Sequence, residues 1–325
     1  MKRRSVYFFW AGFLIMSFGL LLSGNDHSQQ RVKPAFDASV ENPAYEKGKG
    51  PMVMYDEGHY NHQKSATRYK GLVDVLMNDG YVVTVNKSRF SAAVLKGYNI
   101  LIISNALDER NSPWEERGGK PPFYSAFTPE EVEAVQQWVK EGGGLLLVAD
   151  HFPFGDAAFD LAKRFGVIMD KGLTKETEEN NIFTRENGKL FDHPVTIGRN
   201  AKERVEKVVT FTGQSLEIPP GTGFMKLGKS AFNVNYSFKE EKSVAGHYLG
   251  TAFKYGSGRI VVLGEAGMLC SNVSGPEDGQ ENKEIGGIRV VSTHYWGMDP
   301  EKNDNKKLLI NIAHYLSRLL DSEVK

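Results

Sequence analysis

Acidic residues and histidines gather in this sequence at Asp56-Glu57-Gly58-His59, Asp150-His151, Gly264-Glu265 and Thr293-His294-Tyr295, with Ser104-Asn105 as a further polar pair. Carboxylates and neutral imidazoles are the usual ligands of zinc, manganese or iron, so Asp56, His59, Asp150, His151 and His294 supply enough donors for a divalent metal such as zinc or manganese. Such an ion would activate water for hydrolysis. No HExxH motif is present, and the ligands would have to come from separate loops. The same residues also allow a metal-free arrangement, with Asp150 or Glu57 as general base and His151 or His59 as general acid, and Glu265 close by. Asp and His just after a strand also cap helices and tie loops to the backbone. Residue types alone leave these readings open.

The elements around these residues give them a common location. Residues 52–55 (MVMY), 81–85 (YVVTV), 100–103 (ILII) and 145–149 (LLLVA) read as strands, and 67–78, 91–96, 128–140 and 157–165 as helices between them. Thr128-Pro129-Glu130-Glu131 is a capping box with proline at the first helical position, and the glycines at 142–144 stop that helix. Strands and helices alternating in this way predict an α/β fold, a parallel sheet covered by helices on both faces. Residues 171–241 break the rhythm with polar, turn-rich sequence and read as a small β-rich insertion. The alternation returns in a hairpin over 246–263, turning at Tyr255-Gly256-Ser257-Gly258, and in a last helix carrying Leu308, Leu309, Ile312, Leu316, Leu319 and Leu320. In open α/β sheets ligands bind beyond the carboxyl ends of the strands, and the polar groups above fall there.

Composition narrows the class of protein. Of 325 residues 40% are hydrophobic and 25% charged, a globular balance that excludes a disordered, collagenous or coiled-coil chain. Forty basic side chains against forty acidic ones leave no basic field for nucleic acid. Lys2, Arg3 and Arg4 precede seventeen uncharged positions, 6–22, so residues 1–24 read as a signal peptide or an uncleaved anchor. Asn25 stands where a lipoprotein would carry its cysteine. The expected organisation is an export segment over 1–24, a polar tether over 25–50 and one domain over 51–325. The chain is then periplasmic, extracellular or held at the outer face of the inner membrane, touching membrane only through an uncleaved segment.

The remaining reactive side chains point to structural roles. Cys270 is the one cysteine, which excludes an intrachain disulfide, and its apolar neighbours predict a buried, inert thiol. His62 and His193 read as surface loop residues, His247 as part of the hairpin face, and His314 as a helix residue. Trp114, Phe123 and Tyr124 lie in the loop after the third strand, where packing is favoured over stacking on sugar rings.

Val53-Met54-Tyr55-Asp56-Glu57-Gly58-His59, Phe127-Thr128-Pro129-Glu130-Glu131 and the run Gly143 to His151 resemble secreted bacterial proteins with a class I glutamine amidotransferase-like domain. The resemblance covers about 51–165 and returns at 258–268 and 303–316. It is similar also to domains of gliding-motility and intraflagellar-transport proteins, which bind or scaffold. The resemblance implies a flavodoxin-like sheet and places Asp150-His151 at the turn where amidotransferases carry a cysteine nucleophile. With Asp150 there, and no histidine two residues before Glu265, glutaminase chemistry is not expected. Two functions remain. One is an exported hydrolase, metal-assisted or not, acting on a polar extracellular substrate such as a glycan or cell-wall fragment. The other is a non-catalytic binding module for a small polar or carbohydrate ligand or a partner protein.

Overall fold

In the computed structural model the apolar runs become the strands of one sheet. The structure describes residues 31–32, 36–112, 120–176, 181–237, 239–274, 284–285, 288–289, 294–299 and 301–321, and the expected export segment lies outside them. The elements are β1 (Met52–Asp56), α1 (Lys70–Asn78), β2 (Val82–Asn86), α2 (Ala92–Leu95), β3 (Ile100–Ser104), α3 (Pro129–Lys140), β4 (Gly144–Val148), α4 (Phe154–Arg164), β5 (Ile168–Met169), β6 (Leu216–Glu217), β7 (Gly223–Lys226), β8 (Tyr248–Tyr255), β9 (Gly258–Leu263) and α5 (Asn305–Leu316). The sheet runs β2-β1-β3-β4-β9-β8-β6-β5, with β7 also paired to β8. The first five strands are parallel. Beyond β9 the pairing is antiparallel, because the tight β8–β9 turn reverses the chain and β6, β5 and β7 build onto that hairpin. The fold is therefore α/β as expected, with a mixed rather than wholly parallel sheet.

Alternation along the parallel strands sorts the core into two layers. Val53, Tyr55, Ile100, Ile102, Leu146 and Val148 face α1 and α5, while Met54, Leu101, Ile103, Leu145 and Leu147 face α3 and α4. Both faces of β3, β4 and β9 are dry, which is why these runs read as unbroken apolar sequence, whereas β2 at the sheet edge is only partly covered.

The insertion divides between two structures. Its β6 and β7 extend the main sheet, whereas Leu173–Lys175, Phe232–Val234 and Glu240–Ser243 form a separate three-stranded sheet and Ile182–Thr184 pairs with Lys207–Val209. The expected tether differs more. Residues 36–50 lie against the domain: the Tyr45 ring meets Tyr81 edge-on at 5.2 Å, and the Ala44 amide donates to Asp79 Oδ1 at 2.7 Å. Phe36, Ala38 and Val40 pack on the core, and Arg31–Val32 pairs with Ser271–Ser274. The overall polarity of this segment masks an apolar residue at every second position from 36 to 40, which is a strand-like docking face.

Candidate functional site

The strand order 2-1-3 makes the crevice between β1 and β3 the switch point at which folds of this class hold ligands. Here the protein's own side chains fill it. His59 Nδ1 lies 3.0 and 2.9 Å from the two oxygens of Asp56, and its Nε2 lies 2.9 Å from Glu131 Oε1. Both ring nitrogens face carboxyl oxygens, an arrangement that favours the doubly protonated ring. Burial pulls the His59 pKa down, but the hydrogen bonds and charges of Asp56 and Glu131 outweigh it and hold the group above its ordinary value. The ring is enclosed by Phe90 and Phe127 at 4.6 and 4.9 Å. Asn61 completes the closure, donating to Asp56 Oδ2 at 3.0 Å and to the Ser104 carbonyl.

Two of the expected metal ligands, Asp56 and His59, are thus spent on each other inside the core. Glu57 is also engaged, accepting from the amide and hydroxyl of Ser65 at 2.8 and 2.6 Å. His294 opens a short strand paired with Ser271–Ser274, and its side chain lies outside the described residues. The expected five-residue metal set is accordingly not assembled among the described side chains.

Asp150, His151 and Glu265 do come together, at the ends of β4 and β9. The Asp150 amide donates to Asn105 Oδ1 at 2.8 Å, and Asn105 takes a left-handed φ of 42°, which asparagine tolerates better than most residues. Asp150 Oδ1 accepts the His151 amide at 2.8 Å, and the Thr212 hydroxyl donates to the same carboxylate at 3.3 Å. His151 Nδ1 faces the Phe152 carbonyl at 2.8 Å and must therefore donate to it. This fixes the ring with Nε2 3.9 Å from Asp150 Oδ1, and the two side chains are 15% and 10% exposed.

Glu265 is fully buried behind this pair. Burial first, and the Asp150 charge second, push its carboxyl well above the ordinary range, although the Met268, Gly267 and Thr212 amides oppose the shift. Gln214 clamps the turn from the insertion side, donating to the Ala149 and Asp150 carbonyls at 3.0 Å each. A Cβ on Gly264 would stand 2.2 Å from the Gln214 carbonyl, so glycine is required for this crossing.

Thr212, Gln214, Asn61 and Glu131 were not distinguished as site residues in the sequence. Only Glu131 carried a signal, its place in the capping box. His62 and His193, expected at the surface, are largely enclosed. Burial, with Arg68, His151 and Lys64 nearby, pushes the His62 pKa down to about 3, and burial takes His193 down to about 4. The Cys270 thiol is buried and its pKa is raised, which fits an inert group. Trp114 lies outside the described residues, while Phe123 packs beside Phe152 and Tyr124 sits beneath the Arg110 guanidinium at 3.9 Å.

The sequence matches no protein-family model, and no curated protein matches it. Among solved structures the chain is similar to the mmIFT52 N-terminal domain at 12% identity, with TM-score 0.54, over 82% of this chain and 97% of that one. It is similar to a ThuA-like protein from Bacteroides uniformis at 15% identity, with TM-score 0.42, over 87% and 95% of the two chains. A second ThuA-like protein, from Parabacteroides merdae, is 10% identical with TM-score 0.40 over 83% and 90%. At these identities the likeness concerns the fold alone, a mixed α/β architecture with a central sheet and flanking helices.

Proposed function

We propose that the chain is an exported binding module for a polar, hydroxyl-rich ligand such as a glycan or cell-wall fragment, with the turn at Asp150 and His151 as its recognition centre. One observation carries this reading. At the strand ends Asp56, Glu57, His59 and Glu265 are engaged wholly within the fold, whereas His151 Nε2 lies 3.9 Å from Asp150 Oδ1 and the two side chains keep a narrow exposure of 15% and 10%. The Asp150 carboxylate also accepts from the His151 amide and the Thr212 hydroxyl. A carboxylate next to an imidazole nitrogen is suited to adjacent hydroxyls, the carboxylate accepting from one and Nε2, on a ring that donates through Nδ1, accepting from the other. Export rests on the basic residues 2–4 and the uncharged run 6–22.

A metal-free hydrolase is the second reading. It is favoured by the buried Asp150 and Glu265 pair, since carboxyls in unlike environments divide acid and base roles. The two readings separate in one experiment. Purified protein is presented with an array of soluble glycans and cell-wall fragments, and both capture and released products are followed by mass spectrometry. Capture without product, weakened at least about tenfold in Asp150→Asn or His151→Gln, is expected, because a charged hydrogen bond contributes on the order of 1.5–3 kcal/mol. Product formed by the parent and not by Asp150→Asn would replace the binding module with the hydrolase, and capture unaffected by both substitutions would overturn both.

A further inference from the structure

We propose that Asp170, Glu217 and His247 form a divalent-metal site, for zinc in the first place, on the antiparallel end of the main sheet. Their donor atoms lie within 4.8 Å of one another. The grouping follows from strand register. Met169 of β5, Leu216 of β6 and Tyr248 of β8 stand in one row across the three strands. Asp170, Glu217 and His247 are each one residue from that row, so the two-residue period turns all three to the opposite face. They come from positions 170, 217 and 247, and only this pairing gathers them.

The local geometry suits an ion. His247 Nδ1 is 3.0 Å from Asp170 Oδ2, close to the roughly 3.3 Å between ligands of a tetrahedral zinc with bonds of about 2.0–2.1 Å. The Ser215 hydroxyl donates to Asp170 Oδ2 and orients the carboxylate, as outer partners of metal ligands do. The site also already holds a cation: the Lys242 ammonium rests 2.5 Å from Asp170 Oδ1. The Asp170 side chain is 4% exposed, while His247 and Lys242 are 26% and 52% exposed, so the pocket is closed beneath and open above. Two carboxylates and one imidazole leave a fourth zinc position for water, and imidazole favours zinc over the harder divalent ions. A bound ion would clip β5, β6 and β8 together and would displace Lys242.

Calorimetric titration of tag-free, chelator-stripped protein with zinc sulfate tests this. One equivalent should bind, with affinity reduced at least about tenfold in His247→Ala and in Glu217→Gln, each checked for folding by thermal melting. Lys242→Met removes a competing cation and no ligand, so it should tighten binding. Cobalt in place of zinc should give the visible spectrum of a tetrahedral site. Absence of zinc binding by the parent, or affinity unchanged in both His247→Ala and Lys242→Met, would overturn the proposal.

Discussion

His59 Nε2 and Glu131 Oε1, 72 positions apart in the chain, meet at 2.9 Å and fasten the loop after β1 to the first turn of α3. The same Glu131 carboxylate closes the capping box by accepting the Thr128 amide at 3.0 Å and also accepts the Phe90 amide at 2.9 Å. A residue that reads locally as a helix cap is therefore also the far end of a buried ion network.

This gives Glu131→Gln a cost beyond capping. Loss of a cap alone destabilises by about 1 kcal/mol, whereas breaking a buried charge pair costs about 3–5 kcal/mol. Urea denaturation of Glu131→Gln beside Thr128→Ala should show the larger loss in the former. Equal losses near 1 kcal/mol would mean that the His59 contact adds nothing.

His62 should make stability depend on pH. Its pKa is about 3 when folded, against an ordinary value of 6.5, so between these limits the unfolded chain binds a proton that the folded chain does not. Stability contributed by the neutral ring is complete above about pH 6.5 and falls as the pH drops toward 3. The difference in unfolding free energy between parent and His62→Gln should slope by about 1.4 kcal/mol per pH unit across that window. A flat difference would show the ring to be solvated.

Asp156 should act with the opposite sign. Burial, countered in part by Lys171, raises its pKa to about 6. Between the ordinary 3.8 and 6 the folded chain holds the extra proton, so the stability this gives is present below about pH 4 and is lost as the pH rises through 6. Asp156→Asn should therefore gain on the parent from pH 4 to 7, by about 2–3 kcal/mol. A relative loss with rising pH would show that Lys171 outweighs burial.

The segment ahead of β1 should contribute to folding. Tyr45 packs on Tyr81, while Asp79 accepts the Ala44 amide and meets His314 Nε2 at 2.7 Å inside the core. Truncation at this half-buried ring, Tyr45→Ala, should cost about 1–3 kcal/mol, less than for a fully buried aromatic. Lys49→Ala, at an exposed ion pair, should stay within about 0.5 kcal/mol. Thermal melts of the two variants decide between docking and tethering, since indistinguishable melting temperatures would mean a tether.

The fold was legible because the signals that set it are local. Unbroken apolar runs such as 100–103 and 145–149 have no stable place but a strand covered on both sides, and the capping box at Thr128 and Glu131 marks a helix start from four residues. These features, together with the turn at 255–258, determined the α/β class and placed Asp150 and Glu265 at strand ends. The partners of those residues depended on contacts between distant parts of the chain, which residue type does not encode. Asp56 and His59 carry the side chains of metal ligands, and a glutamate 72 positions from His59 turned them into a buried cross-link. His62 looked like a loop residue until Phe154 and the cations around it closed over the ring. Thr212 and Gln214 lie in turn-rich sequence without a period, so only the crossing at Gly264 brought them to Asp150. Apolar burial is summed along each segment and can be read from it, whereas each polar group must find a particular partner, and the tertiary structure alone decides which one comes within hydrogen-bond reach.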